Sequence, residues 1–173
     1  LSDAVWQQAP QITGFKSWYP DFGKDMPDQT IVYHAYDAEN VYFAFRAFDS
    51  EPGRIKASVA ARDTINADDW ICINLDSFGD QQSLYALYVN PLGIQGDSRF
   101  AANREDFGVD IVWYSAGKID DKGYTVEVRI PFKSLRYGGS NPVRMRLIFE
   151  RRVARASVQG TWPEHDPKIG PNF

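Results

Sequence analysis

A single cysteine, Cys72, occurs in 173 residues, so no internal disulfide can form and thiol pairing says nothing of the compartment. There are 2 histidines, His34 and His165, one in a strand pattern and one near the end, and they suggest no Ser-His-Asp constellation. Cys72 and His34 could pair only if both faced the same way, and a buried, inert thiol is the usual state of a strand cysteine. No HxxxH, CxxC or Gly-rich phosphate loop is present. Asp68, Asp69 and Glu127 could supply paired carboxylates for glycoside hydrolysis, but no spacing specifies their separation. No apolar run approaches the length of a membrane-spanning helix. A basic excess is missing too. The net charge of -4 argues against nucleic acid as a partner, because a phosphate backbone calls for a basic stripe. The one basic cluster, Arg144, Arg146, Arg151, Arg152 and Arg155, is broken by strand alternation and reads as a solvated, salt-bridged face.

What the chain has is aromatic residues, 14% of the total with Trp 5, Tyr 9 and Phe 11, alongside hydrophobic content of 43%. Aromatics suit half-buried strands first, and stack on sugar rings or bases second. The length allows one domain with a full core.

Periodicity of two runs through the sequence. Thr30–Tyr36 and Val41–Phe48 flank the turn Asp37-Ala38-Glu39-Asn40 and predict a hairpin. Trp70–Asp76 sets Ile71, Ile73 and Leu75 on one face and Trp70, Cys72 and Asn74 on the other. Leu84–Asn90 is a further strand. Asp110–Ala116 and Tyr124–Ile130 form a second hairpin pattern, and Val143–Arg152 the last strong strand, with Met145 alternating among core-type residues. Helical periodicity is weak, with short turns expected at Arg54–Ala61 and Pro131–Leu135. The fold class this predicts is all-β, an antiparallel β-sandwich of jelly-roll type over residues 1–157. Residues 158–173, with three prolines and two glycines, read as an irregular tail leading towards a following domain. The opening at Leu1 without methionine and the ending Pro171-Asn172-Phe173 suggest a piece of a longer protein.

A series of phrases in fixed order carries a family resemblance. It comprises Leu1-Ser2-Asp3-Ala4-Val5-Trp6, Tyr36-Asp37 leading into Val41–Arg46, Asp68-Asp69-Trp70-Ile71, Asn74-Leu75-Asp76 and Tyr88-Val89-Asn90-Pro91. Gly123-Tyr124 through Ile130-Pro131-Phe132-Lys133-Ser134-Leu135 completes it. From Leu1 to Arg152 the chain resembles the family nine-like carbohydrate-binding modules, in the version that precedes an outer-membrane β-barrel in larger bacterial proteins. The resemblance implies a β-sandwich, an exported periplasmic or cell-surface location, oligosaccharide or polysaccharide as ligand, and a C-terminal barrel as a partner in the same chain. Sugar-binding members are similar in clamping the ring between two Trp side chains with a carboxylate nearby. Here Cys72 stands where the carboxylate belongs, and Asn66 near the first stacking Trp. Related domains in some cytochromes hold haem, but Met145 reads as core and Met26 is the only other methionine.

Sugar recognition needs an aromatic platform and planar polar groups. The candidate ligand-binding residues are therefore Trp70, Asn74, Tyr88 and Asn90, with Arg46 added if it lies on the same sheet. Edge packing by Trp70 and Tyr88 and turn or strand hydrogen bonds of the asparagines are the more ordinary account of these residue types. Trp18, Tyr19, Trp113, Tyr114 and Trp162 are alternative stacking residues, Trp113 as core, and Trp18 and Trp162 in Pro-flanked irregular segments. Calcium is a candidate cofactor, because Asp37 with Glu39 and Asn40, or Asp76 with Asp80 and Asp97, crowd loop positions. Turn chemistry explains the same residues. The reading is a non-catalytic carbohydrate-binding module. The alternative is an interaction domain that docks on its barrel without sugar affinity.

Overall fold

A computed structural model of the chain describes residues 1, 3–102, 104–139, 141–166 and 168. The period-two pattern becomes two antiparallel sheets packed face to face. One has five strands in the order β1 (Gln11–Ile12), β3 (Thr30–Tyr36), β4 (Asn40–Phe48), β10 (Gly123–Pro131), β9 (Tyr114–Asp120). The other has seven, in the order β2 (Lys16–Tyr19), β12 (Val158–Trp162), β11 (Arg146–Val153), β5 (Trp70–Asp76), β6 (Ser83–Val89), β7 (Gln95–Ala101), β8 (Arg104–Asp106). One short helix, α1 (Ala4–Gln8), lies against the five-stranded sheet with Trp6 buried beside Tyr33. The predicted all-β antiparallel sandwich is what forms.

The interior is built from alternate residues of both sheets, as the pleat requires. Phe43, Phe45, Val126 and Val128 come from one side, and Ile71, Ile73, Leu87 and Phe149 from the other. Phe149 meets Phe43 and Phe45 edge-on at 5.4 and 5.6 Å. Each fully buried side chain of this kind contributes about 1.5–3 kcal/mol. The Thr30–Tyr36 hairpin is present, with Ala35 opposite Tyr42, and β5 has the predicted bounds and facing.

Several expectations are corrected. Residues from 158 onward do not start an irregular tail, because β12 pairs with both β11 and β2 inside the larger sheet. Its Gly160, which reads as a breaker, lies against Met26 where a β-carbon has no room. Residues 167 and 169–173 lie outside the described residues. The second hairpin exists, but its first strand begins at Tyr114. Ile111 and Trp113 instead plug the core from an irregular segment, with the Ile111 amide donating to Asp97 Oδ2 at 2.7 Å. β7, Gln95–Ala101, was not expected, since Phe100 is the one strand former in an otherwise small and polar run. Full pairing with β6 holds it.

The arginine cluster is not one solvated face. Arg151 is fully buried between the sheets, donating to the carbonyls of Asp28, Gln29 and Phe48 at 2.8, 3.1 and 2.5 Å. Arg155 pairs with Asp49 at 2.6 Å, Asp28 at 3.2 Å and Glu51 at 3.3 Å. A buried guanidinium needs several such acceptors, and here only the Arg151 Nε is left without one.

Candidate functional site

Strand register assembles a groove on the outer face of the seven-stranded sheet. With Ile71, Ile73 and Leu75 committed to the core, Trp70, Cys72 and Asn74 face outward. Antiparallel pairing sets Tyr88 beside Cys72 and Ala86 beside Asn74 on one flank, and Glu150 beside Cys72 and Arg152 beside Trp70 on the other. One strand further, Gly96 faces Tyr88 and Phe100 faces Leu84, while Thr161 and Gln159 continue the rows across β12. Two adjoining hollows of about 450 and 480 Å³ share Trp70, Tyr88 and Gln159. The small side chains of Cys72, Ala86 and Gly96 keep the floor low between aromatic walls.

Trp70 and Tyr88 meet edge-on, ring centroids 5.2 Å apart at 87°. They belong to a second apolar cluster with Ile65, Cys72, Leu84 and Phe100, separate from the sandwich core. Polar groups converge on the same floor. Asn74 Nδ2 donates to Glu150 Oε1 at 2.6 Å, and Ser98 Oγ donates to Glu105 Oε1 at 2.6 Å. Burial pushes the half-buried Glu150 carboxyl upward, the Asn74 bond opposes this, and the Glu105 charge adds to it. Burial also raises the Cys72 thiol, which stays neutral. The Tyr88 phenol is pushed well up by the neighbouring Cys72 sulfur, by burial and by the two carboxylates. Among the described residues that line this groove, two donors are unspent. The Gln159 carboxamide makes no hydrogen bond, and the buried Trp18 Nε1 finds no partner.

Of the residues expected at the site, Trp70, Asn74 and Tyr88 come together here. Asn90 does not. It is fully buried, its Nδ2 donating to the Ser58 carbonyl and Asp68 Oδ2, both at 2.9 Å, and its Oδ1 accepting from the Leu92 and Ile94 amides. Its work is to shape the turn between β6 and β7. Arg46 is on the wrong sheet. It projects from the outer face of the five-stranded sheet and holds Asp120 through two bonds of 2.5 and 2.9 Å. Period-two alternation sets a residue's face within its own strand but not which sheet that strand joins.

Of the alternative aromatics, Trp18 lines the groove, while Trp113 is core as expected. Trp162 stacks on Phe149 at 6.2 Å and 28°, and Tyr114 lies under Arg129 on the opposite sheet. Glu150, Glu105, Gln159 and Arg152 were not expected. The β5–β11 register reveals Glu150 and Arg152, the β11–β12 register Gln159, and the β7–β8 pairing Glu105, none of which local alternation shows. Glu150 is notable because it stands directly across from Cys72. A carboxylate is therefore present beside that position, supplied by the neighbouring strand. Asn66 lies at the groove's end, its carbonyl accepting from Arg152.

The candidate calcium ligands do not converge. Asp37 accepts from the Glu39 and Asn40 amides at 2.7 and 2.8 Å and from Tyr42 Oη at 2.7 Å, all within the β3–β4 turn. Asp76 accepts from the Phe78, Gly79 and Gln81 amides, and Asp80 from Gln82, in the β5–β6 loop. Asp97 is held by Arg62 and the Ile111 amide. These carboxylates act as turn formers and anchors, and among the described residues no group of three or more His, Cys, Asp or Glu gathers.

A hollow of about 540 Å³ also lies on the five-stranded sheet, walled by Trp6, Tyr36, Tyr42 and Tyr114. Most of its charged groups are already engaged, Tyr42 with Asp37, Arg129 over the Tyr114 ring at 4.1 Å and Glu127 with the Leu1 ammonium, although the buried Trp6 Nε1 has no partner. The groove, with two unspent donors and two carboxylates outside the ion pairs of the described residues, is the better candidate for a ligand.

No family model and no curated protein matches the chain. Solved structures do share its fold. A "putative carbohydrate-binding protein" from Bacteroides uniformis ATCC 8492 is similar at 13% identity and TM-score 0.68, over 90% of this chain and 78% of that one. A carbohydrate binding module family 9 from Caldicellulosiruptor kristjanssonii in complex with cellotriose is similar at 17% identity and TM-score 0.63, over 93% and 76%. The module in complex with glucose gives 17% and 0.62, over 93% and 78%.

Proposed function

We propose that the chain is a non-catalytic carbohydrate-binding module that takes an oligosaccharide into the groove on its seven-stranded sheet. The observation that carries this is the groove's make-up: aromatic walls from Trp70, Tyr88 and Phe100 beside side chains free to bond hydroxyls, on a fold shared with domains in complex with cellotriose and glucose. Apolar sugar faces pack on aromatic rings, and the hydroxyl rim requires planar donors and acceptors such as Gln159, Asn74 and Glu150. Such recognition needs no nucleophile or general acid. Cys72, held neutral under the floor, offers none.

The test is titration calorimetry of the protein against cellotriose and a panel of soluble oligosaccharides. Gln159→Ala should weaken binding at least several-fold with the melting temperature unchanged, since that carboxamide supports nothing else. Tyr36→Ala, on the opposite sheet and 80% exposed, should leave binding intact. Absence of binding to every sugar, or loss at Tyr36 rather than at Gln159, refutes the assignment.

A further inference from the structure

Resting on that reading, we infer that the groove selects sugars bearing protonated amino groups, as in an oligomer of β-1,4-linked glucosamine, over neutral and acidic ones. The inference comes from charge that the fold leaves unbalanced. Glu150 on β11 and Glu105 on β8 face the groove from opposite sides of a floor made by β5, β6 and β7. Their hydrogen-bond donors are neutral, Asn74 for one and Ser98 for the other. Among the described residues neither carboxylate takes part in an ion pair. Two cations near the groove are paired with other carboxylates, Lys16 with Asp25 at 2.7 Å and Arg62 with Asp97. Arg152 lines the adjoining hollow, not the one that holds both glutamates, and keeps its charge as it donates to the neutral Asn66 carbonyl. His165 also borders the groove, on the β12 side.

Two like charges acting on one another above an apolar floor, one of them half-buried, are costly without a counter-charge. The field of Glu105 reaches Glu150, Cys72 and Tyr88, so the carboxylates share one electrostatic environment. A neutral sugar leaves that cost in place, and a uronic or sulfated sugar adds to it. An ammonium group removes it and donates charge-assisted hydrogen bonds to oxygens with free lone pairs. The aromatic walls meanwhile suit the apolar ring face whatever the substituent.

The deciding experiment compares three tetrasaccharides with the same β-1,4 backbone and different groups at C2: amine, acetamide and hydroxyl. Calorimetry is run in mildly acidic buffer containing a chelator. The amine form should bind about tenfold to a hundredfold more tightly than the hydroxyl form, as expected for a hydrogen bond to a charged group, and should lose that advantage in high salt. Glu105→Gln, isosteric, should shrink the preference while the hydroxyl form still binds, and Glu150→Gln should shrink the preference even if it also weakens the hydroxyl form. Equal or tighter binding of the hydroxyl or acetamide form, or a preference untouched by both variants, overturns this inference and leaves the carbohydrate reading standing. Silence towards all three overturns both.

Discussion

Replacing Trp70 by alanine should damage the fold as well as the groove, and the size of the effect follows from its packing. The indole keeps only 9% of its surface in a groove wall and meets Tyr88 edge-on over Cys72 and Ile65. Truncating a packed Trp costs about 3–5 kcal/mol, the aromatic pair included. Because this wall borders the groove, water can enter the space left behind, which places the cost near the lower end, about 3 kcal/mol. In a domain of this size that lowers the melting temperature by about 6–12 °C. Thermal and urea unfolding of Trp70→Ala beside the wild type measure it, with an unchanged urea slope showing that only stability moved. A fall of less than about 2 °C would mean the ring is not packed, and the second apolar cluster would not exist as described. The corollary concerns binding. Lost affinity in Trp70→Ala cannot be ascribed to a missing sugar contact, so residues such as Gln159 are the proper probes.

Other expectations rest on different parts of the molecule. A β-carbon on Gly117 would meet the backbone of Pro91 and Gly93, Gly93 N at 2.5 Å, where the β6–β7 turn crosses β9. Gly117→Ala should therefore cost about 1–3 kcal/mol, read by urea melts, because backbone cannot step aside as a side chain can. Glu150 is held above its ordinary value of 4.5 by burial, so its ionisation costs stability as pH rises through and above that value. Glu150→Gln should match the wild type in acid and exceed it at neutral pH; equal stability at every pH would contradict this. Asp120 is the opposite case, held at about 2 by its bonds from Arg46, so its contribution is present above 3.8 and lost as pH falls towards 2. Asp120→Asn should lower neutral stability by no more than about 1 kcal/mol, given its exposure, and flatten the acid limb of the unfolding profile.

Local periodicity alone determined much of the scaffold. The β3–β4 hairpin, the exact span of β5 and the division of its residues between core and outer face follow from alternation and turn chemistry, both short-range. So does the identity of Trp70, Asn74 and Tyr88 as neighbours on one surface, because β5 and β6 are adjacent in sequence and joined by one loop. The remainder depended on which strands pair at long range. β12 and β7 carry Gly and polar residues that read as loop, and only their neighbours' ladders make them strands. Arg46 and Glu150 both sit in clear strand patterns, yet one joins the five-stranded sheet and the other stands beside Cys72, a choice made by the β4–β10 and β5–β11 pairings. Asn90 has the residue type of a ligand contact but the position of a buried turn anchor. Alternation decides the face a side chain takes within its strand. Tertiary pairing, driven by burial of both inner faces, decides which side chains share a surface, and so what the groove can bind.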